Sequence, residues 1–144
     1  MRSVDPAAAE LERSSGRWLA WLAGELARRD YPPESALLAL WDVLEEWFAS
    51  DDFAGSTVAA AVVAPPDGRG PAAHAALVRH RQATRRLLEE LARSSGARDP
   101  TALAAQLLTL VEGAMAGALI DRHPGAARTA RELTQAALEA SVPE

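Results

Sequence analysis

The spacing of apolar side chains along the chain gives a helical period almost throughout. Leu37, Trp41, Leu44 and Phe48 recur at intervals of three and four, with Leu40 and Trp47 widening the stripe. Asp42, Glu45 and Glu46 lie opposite, so the pattern predicts a helix from Pro33 to Ser50 with one buried face. An earlier stripe, Leu11, Trp18, Leu22 and Leu26 with Leu19 and Trp21 beside it, follows Asp5-Pro6. A capping acid and a first-turn proline mark a helix start, and that helix is expected to end near Asp30. Ser14-Ser15-Gly16 is expected to weaken its first turns. Asp51 to Ser56 reads as a loop. The short apolar run from Thr57 to Ala64 fits a strand or a buried helix by period; its alanines and its helical surroundings favour a helix.

Pro65-Pro66-Asp67-Gly68-Arg69-Gly70-Pro71 is the strongest break. A long fourth helix is expected from Pro71 to about Ser94, with Leu77, Thr84, Leu87 and Leu91 facing inward and His80 on the same stripe. Asp99-Pro100 opens a fifth helix that stops before His123-Pro124-Gly125, and a last one runs from about Gly125 to Ala140. The expected fold is all-α: a single domain of about six helices over residues 1–144.

The fifth helix is apolar nearly all round and asks what covers it. A membrane span is disfavoured, because Gln106, Thr109 and Glu112 lie on neighbouring turns and a central acid costs about 2.5–3.5 kcal/mol to insert. Leu103, Leu107, Leu110 and Ala114 form one stripe suited to the domain's own core. Leu108, Met115 and Leu119 lie beside it, with Gly113 and Gly117 offering smooth backbone to another helix. The last helix has a similar low-relief stripe, Ala126, Ala130, Leu133 and Ala137. Two such faces in succession look like half of an intermolecular four-helix bundle in a homodimer, with internal packing in a monomer as the alternative.

Composition narrows the function classes. The formal charge is −5, so the chain offers little of the basic surface that phosphate contacts require. There are no cysteines, which excludes disulfides, thiolate metal sites and thiol nucleophiles. The opening MRSVDPAAAELERSS has no apolar signal-peptide region, and a cytoplasmic location is expected. All 15 basic residues are arginine, which with the abundant alanine looks like the codon usage of a GC-rich bacterial genome.

Catalytic chemistry finds little support. His74, His80 and His123 lack metal-ligand spacing, so no metal or cofactor is expected. Glu45-Glu46 and Glu89-Glu90 are adjacent pairs that diverge by about 100° on a helix and do not share a site. DGRG lacks the lysine of a phosphate loop, and Ser14, Ser56 and Ser94 show no nucleophile-elbow pattern. His80 and Thr84 on an otherwise apolar face are candidates for orienting a ligand, or are satisfied core groups. The tryptophans at 18, 21, 41 and 47 are core, or walls of a slot.

DPTALAAQLLTLVEGAMAGALIDRHPGAARTARELTQAAL resembles the C-terminal end of TetR-family transcriptional regulators. WLAWLAGEL, LWDVLEEWFASDDFAGS and LVRHRQATRRLLEELARSSGARDP resemble that family in the same order, although Ser56 stands where the family usually has a cysteine. The resemblance covers nearly the whole chain and implies a homodimer whose interface includes Leu108, Gly113, Met115, Gly117, Ala130, Leu133 and Ala137. It also implies an effector cavity among the first, second, fourth and fifth helices, lined by Trp21, Trp41, Leu44, Phe48, His80, Thr84, Gln106 and Leu110. The DNA-binding helix-turn-helix of such regulators precedes the segment matched here, so DNA would be reached only through a domain not present in this chain. The expected function is therefore effector sensing and dimerisation, without catalysis. The competing expectation is a stand-alone helical interaction module with no cavity.

Overall fold

Short polar caps set where the helices begin. In the computed structural model, which describes residues 5–141, the Asp5 carboxylate accepts from the backbone N–H groups of Ala7 and Ala8, opening α1 (Pro6–Arg29). A single 3₁₀ turn at Pro33–Ser35 leads into α2 (Ala36–Phe48). The Ser50 hydroxyl caps α3 (Asp51–Ala54), Ser56 caps α4 (Thr57–Val63), and α5 (Pro71–Ser94) starts on its proline. Asp99 caps α6 (Pro100–Asp121), and α7 (Ala126–Ser141) closes the described chain. Asp30 and Arg122 each take a left-handed conformation, φ 51° and 52°, which stops α1 and α6.

Among the described residues the fold is all-α, with seven helices where the pattern predicted about six. The extra one is α3, a single turn in the segment expected to be a loop. One turn is too short to show a period, but Ser50 and two first-turn acids favour it. The ambiguous run at Thr57 is helical, as its alanines suggested. The expected weakness at Ser14-Ser15-Gly16 does not occur, and α1 is continuous through it. Both serines are buried and bridge outward instead: Val58 N–H donates to Ser14 Oγ at 3.1 Å, and Ser15 Oγ shares a 2.6 Å hydrogen bond with His80 Nδ1.

α2 is the hub. Leu37, Leu40, Trp41, Val43 and Leu44 are fully buried, enclosed by α1, α5, α6 and α7. Trp41 Nε1 donates to Thr134 Oγ1 at 2.7 Å, and that hydroxyl donates to the Ala130 carbonyl at 2.8 Å, which fastens α7 to α2. A smaller contact of Ala8 and Leu11 with Ala73 and Ala76 joins the starts of α1 and α5. Arg81 on α5 clasps Glu112 on α6 through two bonds of 2.7 and 2.9 Å.

α6 is long and apolar enough to cross a bilayer by length and composition alone. Here Leu103, Ala104, Leu107, Leu108, Val111, Ala114, Met115 and Ala118 are buried against α4, α5, α7 and the hub helix. That stripe runs at intervals of three and four, so positions 106, 109 and 113 fall outside it and are exposed.

Candidate functional site

On α1, Glu10, Ser14, Arg17, Trp18 and Trp21 stand at offsets 0, 4, 7, 8 and 11, the spacing of one helix face. Across from them, the end of α2 contributes Trp47, α3 contributes Asp51 and Asp52, and the start of α4 contributes Ser56 and Thr57. Together they enclose a cleft of about 450 Å³, open on one side. That volume suits a small organic molecule.

The walls are aromatic. Trp47 lies 5.5 Å from Trp18 and 6.3 Å from Trp21 between ring centroids, with tilts of 46° and 39°, so the indoles form an angled corner. Phe53 supports Trp47 edge-on at 4.8 Å, and Phe48 lies behind both. Trp21 is 36% exposed, while Trp18 is almost wholly buried and its indole N–H has no hydrogen-bond partner among the described residues. A buried donor left unpaired carries an energetic penalty, so this one stands out.

The charges are unequal. The hydrogen bond from Arg13 chiefly, opposed by burial and aided by Arg17, holds the Glu10 carboxyl below its ordinary range. Arg17 is therefore answered within α1. Asp51 and Asp52 are exposed and make no ion pair among the described residues.

Behind the cleft, His80 packs 5.6 Å from Trp18. Burial pushes its imidazole down from 6.5 to about 4, which outweighs the opposing pull of Glu112, so the ring is neutral near pH 7. Ser15 and His80 have the contact distance of a nucleophile and base, but both are buried and neither lines the cleft. The pair instead braces α1 and α5 behind Trp18. Among the described residues, no three His, Asp or Glu side chains cluster closely enough to hold a metal ion.

The eight residues that the resemblance implied for an effector cavity do not come together as one lining. Trp21 borders the cleft; Leu44 and Phe48 are buried in the core, Phe48 directly behind Trp47. Trp41 faces α7, as its bond to Thr134 requires. Thr84 points inward, but its hydroxyl already donates to the His80 carbonyl. Gln106 is exposed, off the buried stripe of α6. Leu110 is half-buried and borders a different groove, between α6 and α7.

That second groove, about 460 Å³, is walled by Leu110, Gly113, Ala126 and Leu133, and Leu133 stands 52% exposed at its edge. Gly113 is exposed and Ala137 half-buried, so both remain near the surface. Leu108, Met115 and Ala130, expected at a dimer interface, are instead only 3%, 1% and 4% exposed, inside the chain's own core. Gly117 also serves internal packing: a side chain there would meet the Ala126 Cβ at 3.3 Å.

Comparisons with protein families, with characterised proteins and with solved structures found no match to this chain. The site thus rests on its own chemistry. Trp18, Trp47, Asp51 and Asp52 were not assigned to it from the sequence. The one available signal was the alignment of Glu10, Arg17 and Trp21 on a single face of α1.

Proposed function

We propose that this chain is the effector-sensing and dimerisation domain of a cytoplasmic regulator similar to the TetR family. It takes a small organic molecule in the tryptophan-walled cleft and pairs with a second copy through the exposed faces of α6 and α7. DNA is contacted by a helix-turn-helix domain outside this chain, and the domain itself performs no covalent chemistry. The observation that carries the reading is the cleft, because one wall is α1, the first described helix, which also packs on α2, α4 and α5. A ligand there touches the element best placed to pass a shift toward a preceding domain. It acts only if it favours one arrangement of α1 over another. The α6–α7 groove, with Leu133 proud of a floor that includes Gly113, supports pairing of two copies.

The test is a titration of the chain with a broad panel of small aromatic compounds, followed by indole fluorescence. Saturable quenching supports the sensor, and its absence across the panel overturns it. A second reading, a helical module that binds another protein, is favoured by the same exposed groove. Light scattering over a dilution series separates the two: a persistent dimer assigns the groove to a second copy, and a monomer leaves it to a different partner.

A further inference from the structure

The proposal that the cleft is a ligand site can be taken to a ligand class, and the following inference rests on it. We infer that the cleft selects a small organic cation: a quaternary or protonated nitrogen carried on an aromatic or apolar body. Three observations converge. The walls include Trp18, Trp21 and Trp47, of which Trp21 is the most exposed, and indole presents the strongest quadrupolar attraction for a cation among the side chains. The rim carries Glu10, Asp51 and Asp52 against Arg17, three carboxylates to one guanidinium. Glu10 already binds Arg17, so the two aspartates are the charges left for a ligand to answer. The angled corner made by Trp47 with its two neighbours also gives a bulky onium head more than one ring to touch.

Other ligand classes fit less well. An anion would meet Asp51 and Asp52 with only an engaged Arg17 to receive it. A neutral hydrocarbon would fill the corner but would leave the carboxylates to solvent and gain nothing from them. A cation desolvates against the indoles while its charge is met at the rim, to which Asp51 and Asp52 each contribute a carboxylate. Asp51 and Asp52 also suit the first turn of α3, a local role that a bound cation does not disturb.

The experiment compares three probes of similar size by indole fluorescence and calorimetry: phenyltrimethylammonium, its neutral isostere tert-butylbenzene, and benzenesulfonate. The expected result is saturable binding of the cation about tenfold tighter than of the isostere, weakening as salt is raised. Asp51→Asn with Asp52→Asn should weaken the cation about fivefold and leave the isostere unchanged. Trp21→Leu, which keeps apolar bulk on a partly exposed position, should weaken the cation several-fold with the helical circular dichroism intact. Equal or tighter binding of tert-butylbenzene overturns the cation inference while keeping the cleft as a ligand site. Preferred binding of benzenesulfonate does the same and gives Arg17 the deciding role. No saturable binding of any of the three probes overturns the cation inference, and the broad panel then decides the sensor reading separately.

Discussion

His80 gives the sharpest quantitative prediction, because its environment and its titration can be measured separately from everything else. The ring is 5% exposed, hydrogen-bonded to Ser15 and stacked near Trp18, and burial pushes its imidazole down to about 4. In the unfolded chain the same ring takes a proton near its ordinary 6.5. Between those values the unfolded state binds a proton that the folded state refuses, so acid favours unfolding. The contribution is complete above about pH 6.5, declines as the pH falls, and levels off below about 4. At about 1.4 kcal/mol per unit its ceiling is about 3 kcal/mol, most of which is already gone near pH 4.5. Carboxylates also titrate in that range, so the assay is a difference. Urea unfolding is followed for the parent and for His80→Asn, which keeps a polar group near the position of Nδ1. The stability gap between the two proteins should shrink by about 2–3 kcal/mol between about pH 7.5 and about pH 4.5, since asparagine does not titrate. A gap that stays constant within about 0.5 kcal/mol refutes the buried neutral histidine.

Trp41→Phe removes the donor to Thr134 and should cost about 1–2 kcal/mol in urea unfolding; a neutral result would show that the α2–α7 clamp carries no weight. Leu107→Ala, at a fully buried site, should cost about 2–5 kcal/mol, and Leu110→Ala, half-buried at the groove, clearly less. The reverse order would mean that the buried face of α6 is misplaced. Leu133→Glu should leave urea stability within about 0.5 kcal/mol but convert a dimer to monomers by light scattering. A dimer that tolerates the change refutes pairing through this groove.

The sequence was most legible where one face of a helix is apolar and the other charged. In α2 the stripe Leu37, Trp41, Leu44 and Phe48 is buried as its spacing required. Capping residues made α1 and α6 legible at their starts, since Asp5 and Asp99 both precede proline. α6 was legible as a helix but not in its rotation. A helix apolar nearly all round gives its period no phase, so Leu108 and Met115 were turned outward and Gln106 inward, the reverse of what packing selects. On α5, which is amphipathic, the inward stripe was misphased by one position near its end: Leu88 is buried while Leu87 and Leu91 are only partly so. The cleft was the least legible feature, because Trp18 and Trp47 meet across 29 positions and Asp51 and Asp52 sit on a helix too short to have a period.

Ser14 and Ser15, neighbours on α1, point about 100° apart and hold two different helices. Ties in two directions on one turn key the rotation of α1 about its own axis, as a spline keys a shaft. That keying sets which way the next turns face, so Trp18 and Trp21 are presented to the cleft by two hydroxyl groups.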